Sequence, residues 1–217
     1  KNPSVSFFID YFYQNPERQT YFHKVFSDDI ALFVLDSGLA ATHDGEQLSW
    51  MKKVLQKHNE KKIKIALYHI PIYPSVRFSE KNLIYYSLYT LLQLDDKNIA
   101  YKMFSPLSEV GRKTWEPVFD MHDLTVAFEH HDHALKRTYP LRNGSYHPHG
   151  TLYLGDGGWG CSSQYPTVQS YYNFTFAKTV RNRHFFWDVV ITKDHIDYRA
   201  ITSDGETIDE CHQEINQ

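Results

Sequence analysis

Thirteen histidines stand in this 217-residue chain, and three of them sit where they could hold a metal ion. In residues 125–139 (TVAFEHHDHALKRTY) an apolar run, Val126, Ala127 and Phe128, breaks abruptly into His130, His131, Asp132 and His133. A short apolar run of this kind reads as a buried strand, and the sudden polarity as its exposed end. In extended backbone, residues two apart share a side, so His131 and His133 aim together while Asp132 points away. On a helix the same pair diverges by about 200°. Upstream, residues 63–74 (IKIALYHIPIYP) repeat the arrangement. Ile65, Ala66 and Leu67 make a second buried strand, His69 marks its end, and Pro71 and Pro74 stop regular structure. Imidazoles are common transition-metal ligands, and ligands of α/β proteins gather at the carboxyl ends of strands. The plainer alternatives are a surface His-x-His pair and a buried histidine satisfied by a backbone carbonyl.

The segments ALYHIPIYP (66–74), FEHHDHALKRTYP (128–140) and GTLYLGDGGWG (150–160) resemble the last motifs of the calcineurin-like metallophosphoesterases, most closely the purple acid phosphatase branch. Their order and spacing agree with that family from about residue 20 onward. The resemblance implies a dinuclear centre of two divalent or mixed-valent ions (Fe, Zn or Mn), in which His69 and His131 share one ion and His133 binds the other. Such ions orient a phosphate ester and lower the pKa of a bridging water, so that it attacks phosphorus at neutral pH. His130 replaces the family's Gly before the first ligand, which reduces backbone freedom at that turn.

The family's early Asp motifs, and the Asn-His pair that adds a ligand and a general acid, have no copy here. Each ion is left with one or two ligands, below the three or four such sites need, and no residue of this chain is assigned as catalytic. Gly155-Asp156-Gly157-Gly158 looks like the family's early Gly-Asp-x-Gly motif. It follows the His-x-His, however, and so matches the late glycine loop, and Asp156 is not counted as a ligand. Arg77 is the cation close to His69 and the candidate for contact with a substrate phosphate, against the simpler role of a surface arginine. The related phosphatases often carry further histidines nine or ten residues after the strand-end His. Phe78 and Ser79 stand there instead, a departure that bears on substrate range.

The expected fold is α/β. Residues 1–217 form the C-terminal part of one metallophosphoesterase domain, half of a two-sheet sandwich flanked by helices. The expected function is metal-dependent hydrolysis of phosphate esters, with the centre completed by the N-terminal half of the same enzyme, upstream or as a separate or cleaved chain. That partner would also cover strand edges and apolar faces. Two alternatives stand beside it. One is a non-catalytic binding or structural module of phosphatase ancestry, and the other a one-metal protein using His69, His131 and His133 together.

Composition bounds the partners. A net charge of −3 gives no basic footprint for nucleic acid or an anionic membrane surface, and no apolar run reaches the length of a membrane span. Cys161 and Cys211 could pair with each other or with a segment elsewhere. The sequons at Asn143 and Asn173 are candidate glycosylation sites and lean towards a secreted or lumenal protein, while a start at Lys1 without Met reads as that of a processed or excised piece.

The positioning elements follow from local patterns. Residues 21–25 and 30–35 predict a hairpin about Ser27-Asp28-Asp29, with Asp36 as a turn former. Asp44 is the expected N-cap of a helix, with Gln47 in capping-box position and Leu48, Met51, Val54 and Leu55 inward. Residues 57–64 read as its solvated end. An apolar helix is expected within 75–100. Residues 112–119 predict a short helix with Trp115 and Phe119 in the core. Asn143-Gly144 is a turn, and His147 and His149 flank a loop proline. Strands at 184–192 and 197–201, with a turn at Asp204-Gly205, finish a sheet edge.

Overall fold

The computed structural model describes residues 19–38, 40–76, 106–155, 160–162, 176–180 and 183–215. Arg77, Asp156, Asn173 and the helix expected within 75–100 lie outside these residues, apart from 75 and 76.

Strands β1 (Phe22–Val25) and β2 (Ile30–Val34) form the expected antiparallel hairpin. Helix α1 (Gly45–Lys57) returns the chain to β3 (Ile63–Tyr68), parallel to β2. Helices α2 (Pro106–Thr114) and α3 (Glu116–Met121) lead into β4 (Val126–Glu129), parallel to β3. Then come β5 (Leu135–Thr138), the small hairpin β6 (Leu141–Arg142) and β7 (Ser145–Tyr146), β8 (Leu152–Gly155) and β9 (Phe176–Val180). The main sheet runs β1-β2-β3-β4-β8-β5-β9. Strands β10 (Phe185–Ile191), β11 (His195–Thr202) and β12 (Thr207–Glu214) form a second, antiparallel sheet.

Side-chain alternation along the strands builds the layers. On one face of the main sheet, Phe33, Ala66, Ala127 and Tyr153 form a row across β2, β3, β4 and β8. They share a cluster with Met51, Val54 and Leu55 of α1 and with Trp115 and Phe119. The two alanines at the middle of the row leave room for these large side chains. On the other face, Ile63, Val126, Leu152 and Leu154 pack with Ile196 and Tyr198 of the second sheet. Arg137 on β5 forks onto Asp209 of β12 at 2.7 and 2.9 Å. Strand β8 is buried throughout because both its faces are covered. The architecture is an α/β sandwich.

Several local expectations are corrected. Asp44 is the N-cap of α1 but makes no side-chain cap bond. Gln47 does not reach back to it. Its amide turns inward, accepting the Asp36 N–H at 2.7 Å and donating to the Asp36 and Thr42 carbonyls at 2.8 Å. Backbone groups just past the end of β2 need partners once buried, and Gln47 supplies them. The Asp36 carboxylate gathers the amides of Gly38, Ala40 and Ala41 at 3.0–3.1 Å. The charge run does not remain a solvated helix end. Lys64 enters β3, is buried, and donates to the carbonyls of Asn59 and Lys61 at 3.2 and 2.6 Å. The helix expected at 112–119 is two helices, because Pro117 has no N–H for the turn that would join them. Trp115 and Phe119 are core residues, as expected.

His43 is 1% exposed, packs against Trp115 with the rings tilted and 4.3 Å apart, and its Nε2 has no hydrogen-bond partner among the described residues. Burial pushes its pKa down to about 4. Burial likewise lowers His23, His58 and His122. A histidine whose folded pKa lies below its unfolded value supports the fold fully above about pH 6.5, and that support fades as pH falls towards the folded pKa. Urea denaturation is expected to show the His43 contribution falling by roughly 3 kcal/mol between pH 7 and pH 4. His43→Phe should flatten that part of the profile.

Candidate functional site

The parallel strands β2, β3, β4 and β8 all end at one edge of the main sheet, and their register sets what meets there. Tyr68 pairs with Glu129, so the residues that follow, His69 and His130, leave their strands side by side. The His130 N–H donates to the His69 carbonyl at 3.0 Å. The Ile70 N–H reaches back to the Ser37 hydroxyl at 2.7 Å, fastening the third strand end. His69 Nε2 and His131 Nδ1 then lie 3.0 Å apart, with the rings edge-on at 4.9 Å. His69 is exposed and His131 half-buried. Two imidazole nitrogens at this separation suit neighbouring positions in the shell of one ion, where metal–nitrogen bonds are about 2.0–2.1 Å.

His133 goes elsewhere. The chain bends at residues 131–134 instead of staying extended, and the Ala134 N–H donates to the Asp132 carbonyl at 2.8 Å. The cause is Asp132, 2% exposed, whose carboxylate accepts the Ser75 and Val76 amides at 2.7 and 2.8 Å. Satisfying those buried amides turns the backbone and separates the two histidines that extended spacing would align. His133 Nδ1 is 2.9 Å from the Ser162 carbonyl. Nδ1 is therefore the protonated nitrogen, and the lone pair lies on Nε2. His69, His131 and His133 do not converge on one point, which counts against a single-ion site built from all three. His130 needs no glycine-like backbone, because it does not adopt a positive φ.

Beneath the histidines lies a buried ion pair. Glu129 and Lys136 are 0% and 1% exposed and bonded to each other. Glu129 Oε1 also accepts the Tyr68 hydroxyl at 2.6 Å and the Ile72 amide at 2.7 Å, while Lys136 donates to the Tyr73 carbonyl. Gly155 on β8 makes space for the lysine stem, since a Cβ there would sit 2.6 Å from Lys136 Cγ. Tyr73 in turn donates to Glu116, which also accepts the Gly144 amide at 2.9 Å. Burial pushes the Tyr68 and Tyr73 phenols up, and raises the Glu116 carboxyl. The carboxylates described at this edge, Asp36, Glu129 and Asp132, thus hold loops and an ion pair. Among the described residues none joins His69 and His131 in a three-donor set.

The remaining candidates fall as follows. Arg77 and Asn173 lie outside the described residues. Asn143 is exposed at the tip of the β6–β7 hairpin with φ 50°, followed by Gly144 at φ 68°. His147 and His149 stand 6.0 Å apart, with no third donor beside them among the described residues. Cys161 and Cys211 are both free thiols, and burial pushes Cys211 up to about 11.

No protein-family model matches this chain, and no curated protein matches it. Among solved structures it is similar to PPD1, a purple acid phosphatase from seeds of yellow lupin (Lupinus luteus). The TM-score is 0.67 at 15% identity, over 92% of this chain and 34% of that one. It is also similar to GAP50, described as the anchor in the inner membrane complex of Plasmodium. There the TM-score is 0.57 at 13% identity, over 91% of this chain and 55% of that one. At such identities the likeness establishes a metallophosphoesterase-like fold. The chain spans about a third and about half of the lengths of these two proteins.

Removing one partner of a buried ion pair strands the other. Lys136→Met is expected to cost about 3–5 kcal/mol in urea denaturation. Adding Glu129→Gln should recover most of that loss, because a neutral amide still accepts from Tyr68 and Ile72.

Proposed function

We propose that this chain forms the histidine-bearing edge of a metal-dependent phosphate-ester hydrolase, completed by an N-terminal part that lies upstream or is a separate or cleaved chain. The observation that carries this reading is the 3.0 Å approach of His69 Nε2 and His131 Nδ1 at the ends of adjacent parallel strands. The two nitrogens offer lone pairs to one ion. His133, with Nδ1–H held by the Ser162 carbonyl, offers Nε2 to a second, in the manner by which a second-sphere carbonyl fixes the tautomer of a ligating histidine. Bound iron, zinc or manganese would supply Lewis acidity and an activated water. Arg77 is the chain's candidate contact to the substrate phosphate, and Asn143 and Asn173 are candidate glycosylation sites of a secreted or lumenal protein.

A second reading is favoured by a separate observation. Asp36, Glu129 and Asp132 are committed to backbone amides, a loop and an ion pair, and GAP50, of similar fold, is described as an anchor. On that reading the chain is a binding or structural module that keeps the sandwich without its chemistry.

Elemental mass spectrometry on natively isolated protein, with hydrolysis of p-nitrophenyl phosphate, separates the two. The hydrolase reading expects iron, zinc or manganese together with activity. It also expects His131→Ala to lower kcat/KM on the order of 100-fold or more, beyond the loss from disturbing a second-sphere partner. Metal-free, inactive protein never exposed to chelator would establish the module instead.

A further inference from the structure

A second group of ligating side chains lies on the outward face of the three-stranded sheet, away from the strand ends that carry His69 and His131. On β11, Ile196 and Tyr198 are buried against Ile63, Val126 and Leu154 of the main sheet and Ala200 clusters with Leu135, so His195 and Asp197 project to the opposite side. Antiparallel register places Asp197 opposite His212 and His195 opposite Glu214. The four side chains therefore form two neighbouring cross-strand pairs on one face. Both imidazoles turn to the same carboxylate. His195 Nε2 is 3.2 Å from Asp197 Oδ2, and His212 Nδ1 is 2.7 Å from Asp197 Oδ1. The two rings stand 4.5 Å apart. One donor atom from each of the three residues lies within 4.8 Å of the other two. Behind His212, Glu214 Oε1 is 2.9 Å from Nε2.

We infer that His195, Asp197 and His212 form a binding site for a divalent transition ion of the zinc class. Two imidazoles and a carboxylate are a borderline donor set that suits zinc, cobalt or nickel and not the all-oxygen preference of calcium or magnesium. In a tetrahedral shell with bonds of about 2.0–2.1 Å, neighbouring donors lie about 3.3 Å apart. The two imidazoles meet different oxygens of Asp197 and the three donors lie within 4.8 Å of one another, so admitting an ion takes a side-chain adjustment that draws them onto one point. Glu214 supplies the outer carboxylate that commonly fixes a ligating histidine, holding Nε2–H so that Nδ1 faces the ion. The fourth position faces solvent and would be filled by water. An ion here bridges β11 to β12, the outer strand of its sheet, and so acts as a clip on that edge.

The sequence carries a faint trace of this site. His195-Ile196-Asp197 has the two-residue spacing of a strand face, but nothing local gives the register that brings His212 opposite.

The test is titration of the protein with zinc chloride, followed by isothermal calorimetry and by NMR of the imidazole resonances, in wild type and in His69→Ala/His131→Ala. The second background separates this site from the strand-end histidines. The inference expects the His195 and His212 resonances to shift to saturation in both proteins, with magnesium leaving them in place. His212→Ala and Asp197→Asn should each weaken this binding tenfold or more, and Glu214→Gln should weaken it less. Zinc should also raise the melting temperature of the double-alanine protein, and should not do so once His212→Ala is added. Unmoved His195 and His212 resonances in zinc-saturated wild type would overturn the inference, since the cluster would then bind only protons. Equal zinc affinity in His212→Ala and its parent would overturn it too.

Discussion

The buried pair of Glu129 and Lys136 is the constraint on which the rest of this edge depends. Two charges removed from water are tolerable only when their hydrogen-bonding capacity is used. Here Glu129 takes the Tyr68 hydroxyl, the Ile72 amide and Lys136, and Lys136 also meets the Tyr73 carbonyl. These bonds join the end of β3, the end of β4, the start of β5 and the loop after His69. Asp132 adds a second latch, holding residues 75 and 76 from the other side of the histidine turn. The separation of His69 and His131 follows from these anchors and from the parallel register of β3 and β4.

The same edge divides its polar residues into two kinds. Carboxylates point inward and satisfy backbone amides that strand ends leave unpaired, which is the ordinary fate of buried acids. Histidines point outward and meet each other or a carbonyl. A dinuclear phosphoesterase centre would need both kinds facing the ion, and on the proposed reading the described residues would supply only its imidazoles. Similarity to an active-named phosphatase and to a protein named as an anchor, at comparable low identity, agrees with a fold that carries either role.

Much of the fold was legible in the sequence because the relevant signals are local. Short apolar runs ending in polarity located β3 and β4, and their final residues placed His69 and His131 at one edge. The Asn143-Gly144 turn and the inward face of α1 followed from residue type and period. What escaped depends on partners distant in sequence. Asp132 bends residues 131–134 because amides of residues 75 and 76 need an acceptor, so the extended spacing assumed for His131 and His133 does not form. Gln47 serves the end of β2 instead of its own helix. Lys64 reads as a solvated charge until the carbonyls of Asn59 and Lys61 are seen around it. Strand β12 is too polar to announce itself, and the His195, Asp197 and His212 group exists only through its register with β11.

The proposal that His69 and His131 are ligands held ready by this anchoring is tested by an anomalous-difference map from crystals grown with manganese or zinc and measured at the metal's absorption edge. A peak is expected within about 2.0–2.3 Å of both His69 Nε2 and His131 Nδ1. A map with no density between them, the two nitrogens remaining in direct contact at saturating metal, would contradict it.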